Sequence, residues 1–122
     1  MKVLFISPNS PFESIGGGER YVINLINYFK VQKDIKTFLM LPTTQKSHTV
    51  KDGNMTIYYD NNLSIPRKKR SASDIASKAQ GFSDLVEKII KEHQIDVICA
   101  ENIFFGPPPA YSLRLNMIAA LY

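Results

Sequence analysis

Short apolar runs separated by longer polar and amphipathic stretches indicate where strands lie along the chain. Such runs of β-favouring residues, each ended by proline or polar residues, predict strands. The sequence Lys51-Asp52-Gly53-Asn54, between Val50 and the third run, predicts the turn of a small β-hairpin. The predicted strands cover residues 2–6, 35–41, 55–59 and 96–100.

Two amphipathic stretches predict helices over residues 19–29 and 74–93, and a third, largely apolar stretch predicts a helix over residues 108–121. In the second, Ser71 followed by Asp74 resembles a capping box. Its predicted buried stripe is Ile75, Ala79, Phe82, Val86, Ile89 and Ile90. The third stretch follows three prolines, which are tolerated in a first helical turn.

Strands that alternate with helices favour an α/β fold with a mainly parallel sheet. We expect one domain over residues 1–122, Rossmann-like, with three α/β/α layers and strand order 3-2-1-4 besides the hairpin. The strand at 96–100 is expected to be covered on both faces, with Cys99 buried. Ligands of such sheets bind beyond the carboxyl ends of the strands. The loops at 7–18 and 101–107 are therefore the candidate site.

Composition narrows the class of protein without naming a function. The 122 residues are 44% hydrophobic and 21% charged, as in ordinary globular proteins, and no apolar run approaches the length of a membrane span. One cysteine and no export signal predict a cytoplasmic protein. His48 and His93 lack metal-ligand spacing, and Tyr58 and Tyr59 fit sheet packing better than sugar stacking.

The net charge of +4 is concentrated in the run Arg67, Lys68, Lys69 and Arg70. Two interpretations remain open: a solvated loop, or a surface for phosphate or anionic membrane. Nucleic acid is not expected as a partner, because no aromatic residues interleave with this run.

Gly16, Gly17 and Gly18 lie between the first strand and the first helix. Without Cβ atoms they let a ligand approach the backbone, and the first N–H groups of the helix favour an anion such as a diphosphate. A plain flexible turn is the alternative. The pattern is neither the G-x-G-x-x-G of dinucleotide-binding folds nor a P-loop.

Two segments together carry a resemblance to a known family. K-V-L-F-I-S-P, a polar loop and G-G-G-E-R-Y-V resemble the start of family 4 glycosyltransferases of GT-B architecture. D-V-I-C-A-E-N-I-F-F-G-P-P-P-A-Y resembles that family's fourth strand and the helix after it. The hairpin also occurs where that family has one, so the resemblance covers nearly the whole chain.

The resemblance implies roles for particular residues. Gly16 and Gly17, with the adjoining Gly18, match glycines that approach the donor diphosphate. The acceptor-side candidates are Glu19, Arg20, Glu101 and Asn102. The histidine that many members carry near the acceptor is absent from the loop after residue 100. No catalytic residue is assigned, and neither a metal nor a cofactor is expected.

The function that the resemblance implies is hexosyl transfer from a nucleotide-sugar to a glycan or lipid-linked acceptor, as in cell-envelope polysaccharide synthesis. The chain is then an incomplete N-terminal domain, inactive without the C-terminal GT-B domain that carries paired glutamates. Attachment to the inner membrane face through residues 67–70 and self-association through an apolar strand edge are further expectations. The alternatives are a non-catalytic subunit of a two-chain glycosyltransferase and a phosphate-binding α/β module.

Overall fold

A computed structural model describes residues 1–7, 17–64 and 71–100, together with 114, 117 and 118. Gly16, the basic run at 67–70, Glu101 and Asn102 lie outside these residues, as does most of the predicted third helix. Arg114, Met117 and Ile118 are helical, in agreement with that helix. The elements are β1 (Lys2–Ile6), α1 (Gly17–Phe29), β2 (Lys36–Pro42), β3 (His48–Asp52), β4 (Met55–Asp60), a 3-10 turn (Asn61–Leu63), α2 (Ala72–His93) and β5 (Val97–Ala100).

The protein is α/β, with a mixed five-stranded sheet in the order β3-β4-β2-β1-β5. β1 pairs in parallel with β2 and β5, and β2 pairs in parallel with β4. Only the β3–β4 pair is antiparallel among the described strands. The four predicted strands keep their relative order 3-2-1-4, as β4-β2-β1-β5, but the sheet differs from the prediction because β3 adds a fifth strand, so a separate hairpin was wrong. Backbone pairing of β4 with β2 brings the hairpin into the main sheet, where β3 becomes an edge strand.

Alternate residues of the strands pack against different helices. Val22, Leu25 and Ile26 of α1 cluster with Leu39 and Leu41 of β2. The intervening β2 residues belong to a second cluster with α2, whose buried members are Leu4, Ile6, Phe38, Met40, Leu63, Ala79, Phe82, Val86, Ile89, Ile90 and Ile118. These clusters are the apolar core, and burial of such side chains stabilises a fold by about 1.5–3 kcal/mol each. The three-layer Rossmann-like arrangement stays a prediction.

Helix α2 begins as its sequence predicts. The hydroxyl of Ser71 accepts from the Asp74 amide at 3.2 Å and donates to Asp74 Oδ2 at 2.7 Å, which satisfies one free N–H of the first turn. The predicted stripe is buried except at Ile75, which is half-buried. Among the described helices, none is long and apolar enough to cross a membrane.

Strand β5 is less covered than its sequence suggests. Its residues are alternately exposed and half-buried, and Val97 is 42% exposed. Cys99 is exposed, so the prediction that it is buried was wrong. Apolar sequence alone indicates a covered strand, but β5 is an edge strand that pairs, within the described residues, with β1 alone.

The hairpin turn contacts the end of α1. Gly53 has a positive φ of 60°. A Cβ added there would lie 2.4 Å from the Lys30 carbonyl oxygen. The Asn54 amide donates to that same oxygen at 3.0 Å, and its side chain donates to the Gln32 carbonyl at 2.5 Å. Because glycine alone adopts this conformation without strain, Gly53 lets the hairpin pack onto the helix end.

Candidate functional site

The sheet reverses its winding direction at β1. The chain leaves β1 through α1 and returns to the sheet as β2 on one side, whereas α2 leads to β5 on the other side. In open α/β sheets, ligands bind at such switch points, beyond the carboxyl ends of the strands. The carboxyl ends of β1 and β5 are therefore the place where the fold favours a site.

A cavity of about 240 Å³ lies at this position. It is bordered by the ends of β1 and β5 and by the first turns of α1. The lining is apolar apart from Ser7, Tyr21 and Cys99, and its remaining members are Phe5, Ile6, Val22, Leu25, Leu39 and Ala100. Sites for whole drug-sized ligands measure roughly 300–1,000 Å³, so this carboxyl-edge cavity has room for part of a ligand only.

The first turn of α1 lies beside the cavity. The helix begins at Gly17, and Tyr21 and Val22 are already lining residues. At a rise of 1.5 Å per residue, Gly17 precedes Tyr21 by about 6 Å along the axis. The first four N–H groups of a helix have no partner within it, and the helix dipole places partial positive charge there. This arrangement suits an anionic group at the mouth of an apolar cavity.

The predicted site residues are only partly placed by the structure. Gly17 and Gly18 occupy the first two positions of α1, two residues before the predicted start. Glu19 belongs to the same turn, and the Arg20 side chain is exposed. Gly16, Glu101 and Asn102 lie outside the described residues, so their proximity to the cavity stays a prediction.

Asp60 is a buried carboxyl group at the same edge of the sheet. It ends β4 and is 1% exposed. Its Oδ1 accepts from the Asn62 amide at 3.0 Å and from the Asn62 side chain at 2.8 Å. Burial raises its pKa above the ordinary value, although these hydrogen bonds and the charge of Lys78 act in the opposite direction. Asp60 thus holds the 3-10 turn after β4, and its burial keeps it away from solvent.

Sequence reasoning missed the side chains that form the cavity itself. In the sequence, Tyr21 and Leu39 are ordinary members of the predicted first helix and second strand, and Cys99 is predicted only as a buried strand residue. The signal that could have found them is register: Phe5 pairs with both Leu39 and Cys99 across neighbouring strands. Residues that pair in this way share one face of a sheet. In the described part of the chain, no group of three His, Cys, Asp or Glu side chains could hold a metal ion.

Comparisons with other proteins leave the site to be interpreted from the chain's own residues. No protein-family model matches the sequence, and a search of curated proteins gives no match.

Proposed function

We propose that this chain is the acceptor-side, Rossmann-like domain of a GT-B glycosyltransferase that transfers a hexose from a nucleotide-sugar to an acceptor hydroxyl. The observation that carries the proposal is the position of α1. Its first residues, Gly17 and Gly18, come about one helical turn before Tyr21, which lines a cavity at the switch point between β1 and β5. The separate clusters around α1 and α2 support the three-layer arrangement that such a domain has.

In the proposed reaction, the departing nucleoside diphosphate is stabilised electrostatically. Gly17 and Gly18 let its oxygens approach the free N–H groups of α1, where the dipole opposes the developing negative charge. Gly16 completes the glycine segment, and Glu19, Arg20, Glu101 and Asn102 are the acceptor-side candidates. No residue of this chain is assigned as acid, base or nucleophile. A second GT-B domain would supply the remaining donor contacts.

The diphosphate site can be tested by titrating UDP into the labelled chain and following backbone amide shifts by NMR. We expect the largest shifts at residues 17–22 and 99–100. Gly17→Val should remove them, because its Cβ branches would occupy the approach to the helix end. Ile23→Val is the matched control, since it changes an exposed residue of the same helix. Shifts elsewhere, or equal binding by Gly17→Val, would show that the site is wrong.

A transfer assay tests whether residues 1–122 hold a complete active site. The panel contains UDP-, GDP- and dTDP-hexoses with simple glycosides and a lipid phosphate as acceptors. We expect no transfer from residues 1–122, because orientation of two substrates by both halves of a cleft can lower the barrier by about 7–11 kcal/mol. Transfer that Gly17→Val abolishes would show a complete site in this chain. If the chain binds other diphosphates as tightly as UDP, the phosphate-binding α/β module is the favoured alternative.

Location and acceptor type form a separate part of the proposal. A lipid-linked acceptor would place the protein on the cytoplasmic face of the membrane, attached through Arg67, Lys68, Lys69 and Arg70. Each basic residue near an anionic surface contributes about 1 kcal/mol. Replacement of all four by serine should abolish co-sedimentation with phosphatidylglycerol vesicles at low salt. Unchanged sedimentation would remove this part of the proposal.

Self-association through β5 is the remaining part. In the described residues, β5 has β1 as its neighbour on one side only, and Val97 is exposed. Apolar edge strands recruit further strands. Light scattering should therefore show association that increases with protein concentration and decreases in Val97→Lys. A monomer at all concentrations would contradict it.

A further inference from the structure

A second cavity lies at the opposite end of the strands. It measures about 470 Å³ and includes the amino ends of β2 and β4, the last part of β3 and the end of α2. We call it the basic cleft, and its defining residues are Lys33, Lys36, Lys51, Phe38, Tyr58 and His93. Its volume falls within the range of small-molecule sites.

Sheet register explains why the lysines meet there. Phe38 pairs with Thr56, and Lys36 lies two residues before Phe38 on the same face of β2. On the next strand, Lys51 lies directly opposite Thr56. The register thus places two lysine residues around Thr56 on a single face of the sheet, and Lys36 Nζ lies 5.7 Å from the Phe38 ring centroid. Lys33 precedes β2 and adds a third charge at the rim.

Aromatic rings form the inner wall of the cleft. The Phe38 ring is completely buried, and its centroid lies 4.5 Å from that of His93 and 6.5 Å from that of Tyr58. His93 Nε2 and the Tyr58 hydroxyl are 3.2 Å apart, which fixes both rings against the sheet. Tyr58 and His93 are half-buried, so one side of each faces the cleft. The wall is therefore rigid and apolar, beneath a charged rim.

The balance of charge decides which ligand fits. Among the described residues, the three lysines have no ion pair, and no Asp or Glu lines the cleft. Glu92 Oε2 lies 4.0 Å from His93 Nε2. The carboxyl end of α2 also reaches the cleft at His93, and a helix end carries roughly half a negative charge. The described residues that line the cleft include three lysines and no carboxylate, so the lining itself is positively charged.

We propose that the basic cleft binds a small organic phosphate whose planar or apolar part packs on Tyr58 and His93 while Lys36 and Lys51 hold the phosphate. Lysine is a strong phosphate partner because its ammonium acts as a compact charge with three donors. This site is independent of the glycosyltransferase proposal, since it lies at the other end of the sheet. It requires no contribution from the glycine segment.

Phenyl phosphate is a suitable probe, because it combines a ring with a dianionic group. We expect NMR shifts at Lys36, Lys51, Thr56 and Tyr58, and about tenfold tighter binding than for inorganic phosphate, since ring packing adds to charge attraction. The double variant Lys36→Gln/Lys51→Gln should weaken binding about tenfold or more. Lys46→Gln/Lys88→Gln, which removes two exposed charges elsewhere, should leave it unchanged.

Three results would overturn the proposal. One is equal weakening by the two double variants, which would indicate non-specific charge attraction. Another is a set of shifts confined to residues 17–22 and 99–100. The third is binding to phosphatidylglycerol vesicles, but not to phenyl phosphate or inorganic phosphate, which would assign the lysines to a membrane surface. Far-ultraviolet circular dichroism of each variant establishes that it is folded. Gly17→Val should bind phenyl phosphate as the wild type does, whether or not it loses UDP binding.

Discussion

The two ends of the parallel strands offer different surroundings to a ligand. At the carboxyl ends, an apolar cavity of about 240 Å³ lies beside the start of α1, and Asp60, a carboxyl group at the same edge of the sheet, is buried. At the amino ends, the basic cleft of about 470 Å³ has exposed lysines around aromatic rings. One end thus presents backbone N–H groups to an anion, and the other presents side-chain charge.

This difference has a physical consequence for specificity. Backbone groups at a helix start are fixed in direction, so they favour a ligand whose oxygens match their geometry. Lysine side chains are flexible, and their attraction weakens as salt screens it. Salt screens both attractions, but we expect UDP binding at the carboxyl edge to weaken less with ionic strength than phenyl phosphate binding at the cleft.

The largest expected loss of folding stability comes from substitutions of two neighbouring β2 residues that pack in different core clusters, Phe38 with α2 and Leu39 with α1. Phe38→Ala should lower the free energy of unfolding by about 3–5 kcal/mol, because it removes a completely buried ring. Leu39→Ala should cost less, towards the lower part of the range of about 2–5 kcal/mol for a buried leucine, because it removes fewer buried atoms. Urea unfolding measures both. Equal losses would contradict this order.

A somewhat smaller effect is expected at the hairpin turn. Gly53→Ala should cost about 2–3 kcal/mol, because a positive φ is unfavourable for alanine and its Cβ would meet the Lys30 carbonyl. The matched control is Gly81→Ala in α2, where φ is not positive and the Cβ would displace only the Asn62 side chain, at the loss of its hydrogen bond to Asp60. Thermal unfolding compares the two variants. The turn argument fails if Gly53→Ala is the more stable variant.

Asp60 predicts a pH dependence at the carboxyl edge. Because burial raises its pKa, the folded protein holds a proton that the unfolded chain has already released. This contribution to stability is complete below the unfolded pKa of about 3.9 and is lost as pH rises through the folded pKa. Asp60→Asn keeps the Oδ1 acceptor for Asn62 but cannot ionise. The free energy of unfolding of Asp60→Asn, relative to that of the wild type, should therefore increase as pH rises from the unfolded pKa through the folded pKa of Asp60.

Urea unfolding of the wild type and Asp60→Asn at a series of acidic to neutral pH values tests this sign. Asp74→Asn is the control, since Asp74 is an exposed carboxyl group in the first turn of α2. A constant difference between wild type and Asp60→Asn would show that Asp60 has the same pKa in both states.

The smallest expected effect is a change in the rate at which the Cys99 thiol, at the carboxyl-edge cavity, is chemically modified. This thiol is exposed and lines the carboxyl-edge cavity, so iodoacetamide should modify it readily. UDP should slow the modification, because its diphosphate would occupy the adjoining helix end. Phenyl phosphate should not, if it binds at the opposite end of the sheet. Protection by both ligands would mean that they share a site.

Much of the fold could be predicted from local pattern. β1 and the end of α2 are correct to the residue, because a short apolar run and a long amphipathic stripe each specify one structure. Ser71 caps α2 as predicted, since capping depends on residues only three positions apart. The hairpin turn was also placed correctly, but the sheet that its strands join depends on contacts distant in sequence.

The candidate site was less predictable, for the same reason. The glycines are recognisable from composition, but the cavity beside them depends on the register of β1, β2 and β5. The basic cleft was not found at all. Four consecutive basic residues are conspicuous in the sequence, whereas Lys36 and Lys51 are fifteen positions apart and lie on the same face of the sheet only because β2 and β3 both pair with β4. Exposure of Cys99 likewise follows from the edge position of β5, which its own sequence does not indicate.

The position of β1 has a consequence for how the protein is made. Its amino end is joined to β5 by hydrogen bonds from the Lys2 amide to Asp96 Oδ2 at 2.8 Å and from the Asp96 amide to the Lys2 carbonyl at 2.9 Å. These partners are 94 positions apart. At typical ribosomal speeds, β5 is synthesised about 5–20 s after β1. During that interval β1 can gain β2 as a neighbour, but its other apolar edge stays open to any strand nearby, including that of a second nascent chain.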